Sequence, residues 1–412
     1  MISHEQTQTN VEGPVPGCTM ASSSRSLNVG IENKEISNSE SPRRVYIYGA
    51  GAIACHHAAA ATNLANTHIF AADPSPQARA NFIARFPKAK VYDDAQTMLS
   101  SSVAQDRDIV IIAVPLWLHK SATLAAFATE RHVLCEKPAA RSITDLKDML
   151  SASHAVRRRF LECSFRYLGN QAMDRARQLI ESGGIGTPYH VRLVNRQPRS
   201  RPGIEYQPKS KWFLDKEKAG GGAVFDFGVY DFTMLFDVLR PVAVTVHHAW
   251  TKIPRTSVDP TIVPISVETH AGATMSLHLK SGNVISLDYE RASGFHGEAQ
   301  EILNVDGSEG GLTWEWVPTF DADLSEEGAK DSFQLVHFVD VDGKVVAKKE
   351  KFPAFGWNTA NFRPLHSFVD LLEGHETLAL SEAQLLFNFE VVSAVYEVAA
   401  TGKAVSVEQG TF

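Results

Sequence analysis

The stretch Cys135-Glu136-Lys137-Pro138 places a lysine at the end of the apolar run His132-Val133-Leu134-Cys135. An amine desolvated at a strand end has its pKa lowered toward the range in which it gives and takes protons. Upstream lies Gly49-Ala50-Gly51-Ala52-Ile53-Ala54, a turn suited to a dinucleotide. Gly49 allows the tight turn, Gly51 lets the backbone approach a pyrophosphate, and Ala54 permits close packing of helix on strand. A lysine beside a nicotinamide is a natural proton donor or acceptor for an alcohol being oxidised, so the two features together predict a dehydrogenase. Neither suffices alone. A bare G-x-G-x-x-A is often only a strand-to-helix turn, and a lysine before proline is usually a solvated loop residue.

The elements needed to hold these groups occur in the right order. Val45-Tyr46-Ile47-Tyr48 reads as a short strand running into the glycine turn, and residues 54–65 are alanine-rich and helix-compatible. The backbone at Ala52, Ile53 and Ala54 then opens a helix, where unpaired N–H groups favour a pyrophosphate. Asp73 follows the strand His68-Ile69-Phe70-Ala71-Ala72, at the distance where a carboxylate accepts hydrogen bonds from adenosine ribose hydroxyls. It would repel a 2′-phosphate, which favours NAD, while Arg79 nearby keeps NADP open. The other reading of Asp73 is a helix cap or turn residue before Pro74. The apolar run at 108–114 ends at Pro115, as expected of a strand buried on both faces, and Leu116-Trp117-Leu118-His119 is the loop at its carboxyl end. Ligands bind at such ends, so Pro115 and His119 join Glu136 and Lys137 as expected cofactor contacts. A satisfied loop histidine is the alternative for His119. Helices at 121–130 and 142–152 alternate with strands at 132–136 and 160–163, which predicts a parallel Rossmann sheet.

The combination of Gly49-x-Gly51-x-x-Ala54, Val114-Pro115-x-x-x-His119 and Cys135-Glu136-Lys137-Pro138 resembles the glucose–fructose oxidoreductase, inositol dehydrogenase and rhizopine-catabolism (Gfo/Idh/MocA) family. The likeness runs from about Arg43 to the C-terminus. It implies an α/β protein with an N-terminal Rossmann domain at 43–165 and a C-terminal α+β domain at 166–412. The second domain would carry a large, mostly antiparallel open sheet, often used for self-association among relatives, so a homo-oligomer is expected. A helix through 174–181 leads to a first strand at 189–195, followed by a Pro- and Arg-rich loop at 196–211 beside the site. Alternating strands are expected at 242–249, 262–268, 273–279, 284–289, 301–305 and 311–316, with closing helices at 363–372 and 381–400.

Ala219-Gly220-Gly221-Gly222-Ala223-Val224-Phe225-Asp226-Phe227-Gly228-Val229-Tyr230 looks like the family's triple-glycine segment, which opens a helix lining the substrate pocket. Many members carry a histidine four residues after the aspartate. This chain has Tyr230, as do relatives resembling the dihydrodiol and xylose dehydrogenases. Four residues apart, Asp226 and Tyr230 share one side of a helix. Lys137, Tyr230 and Asp226 are thus the expected catalytic group. Tyr230 either donates a hydrogen bond to the substrate oxygen or transfers the proton itself beside Lys137. Asp226 orients the substrate or the lysine, or merely caps the helix.

Composition is ordinary for a soluble protein: 44% hydrophobic, 21% charged, net charge −7 over 412 residues. That gives no reason to expect nucleic acid as partner, and no apolar run is long enough to span a bilayer. Residues 1–42 are rich in Ser, Asn, Thr and Glu and read as a disordered tail, with Met20 a second candidate start. Four cysteines without C-x-x-C spacing fit a reduced, cytoplasmic location and no structural zinc. The histidines lack ligand spacing, so no metal is expected. The expected activity is hydride transfer between NAD (NADP possible) and a secondary alcohol or carbonyl of a sugar, cyclitol, dihydrodiol or similar small metabolite. The competing readings are a non-catalytic NAD(P)-binding regulator similar to the galactose-pathway repressor, and an NAD-dependent glycosidase.

Overall fold

The computed structural model describes residues 41–198, 208–253, 265–295, 297–314, 332–353 and 356–410. The expected tail, most of the 196–211 loop, the start of the strand expected at 262–268 and the end of the one expected at 311–316 lie outside them.

The first sheet is built from β1 (Arg43–Tyr48), α1 (Ala52–Thr62), β2 (Thr67–Ala72), α2 (Pro76–Arg85), β3 (Lys90–Tyr92), α3 (Ala95–Ser100), β4 (Ile109–Ile112), α4 (His119–Phe127), β5 (His132–Cys135), α5 (Ile143–Ala155) and β6 (Phe160–Glu162). Its strand order is β3-β2-β1-β4-β5-β6, with every pairing parallel. All of β4 and β5 is buried, which explains why their sequences read as unbroken apolar runs rather than alternating ones. The strand order reverses direction between β1 and β4, so their carboxyl ends diverge around a crevice where such sheets bind ligands. Side-chain caps start the helices around it: Ser75 on the Ala78 N–H, Asp94 on Thr97 and Ser142 on Asp145.

After β6 a tight helical turn, Cys163–Tyr167, leads to α6 (Gln171–Glu181), β7 (Pro188–Arg196), α7 (Lys216–Ala219), α8 (Val229–Leu239), β8 (Pro241–Lys252), β9 (His270–Leu279), β10 (Val284–Ala292), β11 (Gln300–Gly307), β12 (Gly310–Trp314), β13 (Ser332–Val341), β14 (Lys344–Pro353), α9 (Trp357–Leu372), α10 (Glu382–Thr401) and β15 (Val405–Glu408). The nine strands order as β14-β13-β12-β11-β7-β10-β9-β8-β15; only β7 with β10 is parallel. Val191, Leu193, Leu287, Tyr289, Leu303 and Val305 bury one face of this sheet in the core shared with α8 and α10. The exposed edge strand β14 carries four lysines, Lys344, Lys348, Lys349 and Lys351, charges that discourage pairing with another edge. The chain then returns to the first sheet. Helix α9 packs on α1, where His366 Nε2 meets the Ala60 carbonyl at 3.1 Å and Arg43 binds Glu373 at 2.5 Å. Among the described residues no helix is long and apolar enough to cross a membrane.

Candidate active site

Gly49 follows β1 with φ +114°, and a Cβ there would stand 2.5 Å from the Ala113 carbonyl oxygen. Only glycine lets the β1 turn pass that close to the end of β4. Gly51 is the opposite case: a Cβ would meet nothing within 4 Å, because its face is open. No side chain caps α1, so its first N–H groups face outward, with Gly51 and Ala52 exposed and Ala54 buried. An open glycine before an uncapped helix start is the cradle a pyrophosphate needs. Asp73 stands beside it, accepting from the Ala50 N–H at 2.9 Å and the Ser75 N–H at 2.8 Å. The carboxylate thus fixes the turn and keeps lone pairs for ribose hydroxyls. Arg79 is drawn onto the Asp73 and Pro74 carbonyls, at 2.7 and 3.0 Å. The residues present fit NAD.

Lys137 lies at the carboxyl end of β5. Its Nζ donates to Asp226 Oδ1 and to the Asp226 carbonyl, both at 2.7 Å, and sits 4.6 Å from the centre of the Tyr230 ring and 5.1 Å from that of Phe227. The structure therefore brings Lys137, Asp226 and Tyr230 together. Residues 224–228 form a π turn leading into α8, a rare backbone form that recurs at functional sites. The lysine lies over the face of the tyrosine ring. Burial pushes the Tyr230 phenol well above its ordinary range, with Arg166 opposing only in part. A phenolate partner for Lys137 is disfavoured, and the hydroxyl is left as a hydrogen-bond donor.

Two expected cofactor contacts have other work. His119 is buried, with Nδ1 3.0 Å from the Pro138 carbonyl and Nε2 2.9 Å from that of Val114. It ties the loop after β4 to the loop after β5 and has no nitrogen to offer a nicotinamide. Glu136 is also turned inward: Arg166 donates to it at 2.5 Å, His57 Nε2 at 2.8 Å and the Lys137 N–H at 3.1 Å. Burial alone would raise this carboxyl, but Arg166 and His57 hold it well below the usual carboxylate range. Pro115 opens the short helical turn Leu116–Leu118 at the end of β4.

Ligand atoms of His57, Glu136 and Cys163 lie within 4.8 Å of one another, a metal-like grouping that spacing in the sequence does not reveal. Arg166 already balances the carboxylate, and burial holds the Cys163 thiol protonated. The group works as an ionic brace under Lys137.

Three supports escape a reading of the sequence. Arg166 sits in the turn after β6 and also reaches Asn361 at 2.9 Å. Glu268, expected in a strand, caps the start of the Asp226 turn: it accepts from the Gly222 and Val224 N–H groups at 2.9 and 3.1 Å and from the Tyr396 hydroxyl at 2.6 Å. A Cβ on Gly222 would fall 1.8 Å from the Glu268 carbonyl oxygen, so this glycine of the triplet is required by close approach. The triplet itself was the available signal. Glu162 is the third. Its carboxylate accepts the Ser164 N–H at 2.7 Å and so holds the turn carrying Arg166.

Burial lifts the Glu162 carboxyl to about 7 from an ordinary 4.5, with Glu136 adding to it. Folding thus favours the protonated form. The stability this contributes is full below about pH 4.5 and lost as pH rises through about 7. Glu162→Gln keeps a carbonyl acceptor, so above pH 7 it should be more stable than the parent by about 3 kcal/mol, with the gain vanishing near pH 4. Urea denaturation at several pH values checks this; a constant difference would remove Glu162 as the cause.

A parallel dinucleotide sheet whose carboxyl edge presents a lysine to the turn that opens α8 is the arrangement of a nicotinamide-dependent oxidoreductase. Residues 43–161 match the oxidoreductase family with an NAD-binding Rossmann fold, and residues 173–313 match the GFO/IDH/MocA C-terminal domain. The chain belongs to the Gfo/Idh/MocA family of NAD(P)-dependent oxidoreductases. Its relatives include D-glucoside 3-dehydrogenase of Escherichia coli (strain K12), 25% identical over 380 residues, 89% of this chain and 98% of that protein. Another is 1,5-anhydro-D-fructose reductase of Ensifer adhaerens, 26% identical over 74% of this chain and 81% of that one. The fold is shared with levoglucosan dehydrogenase solved with NADH and L-sorbose (TM-score 0.68, 21% identity, 89% of this chain and 99% of that one).

Proposed function

We propose that the chain transfers hydride between NAD and a secondary alcohol or carbonyl of a neutral sugar or cyclitol. The observation that carries this reading is Lys137 Nζ at the sheet's carboxyl edge, held 2.7 Å from Asp226 and over the Tyr230 ring. Gly49, Gly51, Ala52, Ile53 and Ala54 would hold the pyrophosphate and Asp73 the ribose. The bound nicotinamide supplies the hydride acceptor or donor. Lys137 takes the proton from the substrate hydroxyl during oxidation and returns it during reduction. Asp226 keeps the lysine oriented, and Tyr230 donates a hydrogen bond to the same oxygen. The named activities of the relatives, on glucosides and anhydrofructose, support the substrate class. A proton-transfer pair already in contact favours turnover over a cofactor-binding regulator. Buried reduced thiols at Cys135 and Cys163 support the cytoplasmic location, and the exposed Tyr189, Val242 and Val284 on the large sheet support self-association.

Asp73→Ala should weaken NAD by about tenfold or more, the value of a charge-assisted hydrogen-bond pair, and weaken NADP less, the shared loss coming from the turn that Asp73 fixes. Equal losses in a fluorescence titration would sink the ribose assignment. The function itself is tested by nicotinamide absorbance with NAD and NADP against methyl glucosides, inositols, aldoses and dihydrodiols. Turnover of a neutral sugar or cyclitol supports the proposal; dinucleotide binding with no turnover across the panel overturns it.

A further inference from the structure

The helical segment that carries Asp226 and Tyr230 begins behind the glycine triplet, and a helix start leaves its first N–H groups without partners in the helix. Here the N–H groups of residues 222–225 are all taken from outside it. Glu268 Oε2 accepts from the Gly222 N–H at 2.9 Å, the Glu268 carbonyl from Ala223 at 3.1 Å and Oε1 from Val224 at 3.1 Å. The Tyr396 hydroxyl of α10 accepts from the Phe225 N–H at 3.0 Å and donates to Glu268 Oε1 at 2.6 Å. The Asp226 N–H then turns back into the helix, onto the Gly222 carbonyl at 2.9 Å.

The glycines make room for this pair. A Cβ on Gly221 would fall 2.5 Å from the Tyr396 hydroxyl oxygen, as one on Gly222 would meet the Glu268 carbonyl. Glu268 is itself 6% exposed and fixed by its neighbour. The Thr269 N–H donates to the Lys252 carbonyl of β8 at 3.0 Å, and its carbonyl accepts from the Ser293 N–H just past β10 at 2.8 Å. Beyond the clamp lies the π turn at 224–228, where Asp226 holds its carbonyl and its Oδ1 each 2.7 Å from Lys137 Nζ. One amine meets two oxygens of a single residue only where that residue's backbone and side chain are both held.

We infer that Glu268 and Tyr396 are positioning residues for the proton transfer, setting the backbone of the turn that holds Asp226 against Lys137. This rests on the role proposed for Lys137 and goes beyond it by assigning the lysine's placement to the large sheet and α10. A misplacement of about 1 Å at a reacting group, even one caused from a distance, costs about a hundredfold in rate. Loosening the clamp therefore acts on turnover while the cofactor cradle at Gly49–Gly51 and Asp73 stays as it is.

The test uses two mild variants of the full chain. Tyr396→Phe removes the hydroxyl and keeps the ring that packs edge-on against Phe225, and Glu268→Gln keeps the shape and one oxygen. Steady-state kinetics with a neutral polyol and NAD are measured beside the rate at which formaldehyde and cyanoborohydride dimethylate Lys137, followed by mass spectrometry. Expected in each variant is a fall in kcat of about ten- to hundredfold, with KM and the Kd for NAD within about twofold of the parent. Lys137 should be labelled faster than in the parent, because Asp226 no longer holds its amine. Lowered thermal stability with kcat and labelling unchanged would show a clamp that serves the fold alone and would overturn the assignment. A raised KM with kcat kept would overturn it too, by placing the pair against the substrate. Labelling needs no substrate. A parent that turns over no neutral polyol would therefore remove the proposed function, while unchanged labelling in both variants would remove the positioning role.

Discussion

Lys137→Met is expected to lower turnover by about a thousandfold, within the span that a positioned acid–base group supplies, while NAD affinity stays unchanged. The reason lies in how the lysine is held. Its amine donates to two oxygens of Asp226 over an aromatic floor of Phe227 and Tyr230, whereas the cofactor cradle is built from Gly49–Gly51 and Asp73. Methionine keeps the bulk of the side chain but removes the ammonium that faces the buried Asp226 carboxylate. Some loss of stability is therefore expected alongside the loss of rate. Lys137→Met/Asp226→Asn removes both charges and should recover the stability without recovering turnover. If the double variant regains activity, or Lys137→Met keeps it, the lysine does not move the proton.

Arg166→Met carries the largest expected effect on the fold, a loss of about 3–5 kcal/mol. It deletes one half of a fully buried pair and strands the Glu136 carboxylate, which is 6% exposed. His57 remains 2.8 Å away but cannot replace a guanidinium that also spans to Asn361. Because Glu136 also receives the Lys137 N–H, the variant should lose activity before it loses NAD binding. Adding Glu136→Gln removes the stranded charge and should restore much of the stability. Chemical denaturation of the parent, both single variants and the double variant measures the coupling directly. A coupling near zero would show that Arg166 and Glu136 do not depend on one another.

These two experiments probe groups of different legibility. Lys137 could be found because the lysine, the glycine turn and Asp73 occupy fixed places along alternating strands and helices, and that local order survives in the sequence. Asp226 and Tyr230 were visible as an i, i+4 pair behind a glycine triplet, and the structure brings both to Lys137. What the pair does not disclose is that the amine meets the ring face of Tyr230. Arg166 was legible only as a residue in a turn, because its partner Glu136 is 30 positions away and His57 is 79 positions from Glu136. Glu268 was hidden for the same reason, and its surroundings read as one more apolar strand. Strands β13 and β14 also escaped notice. Nearly all of β14 is exposed and rich in lysine, so it lacks the alternation that marks a half-buried strand. His119 and Glu136 stood open between ligand contact and a structural role, because position at a strand end fits both; their burial and partners fit braces.

The most direct measurement follows the hydrogen itself. A neutral polyol bearing deuterium at its carbinol carbons would be incubated with the enzyme and NAD in ordinary water, and the reduced cofactor analysed by mass spectrometry. The expected result is one deuterium in each reduced nicotinamide, formed in step with oxidised polyol, and transfer about a thousandfold slower with Lys137→Met. Reduced cofactor without deuterium, or substrate consumed with no net change in NAD, would contradict direct hydride transfer from a carbinol carbon.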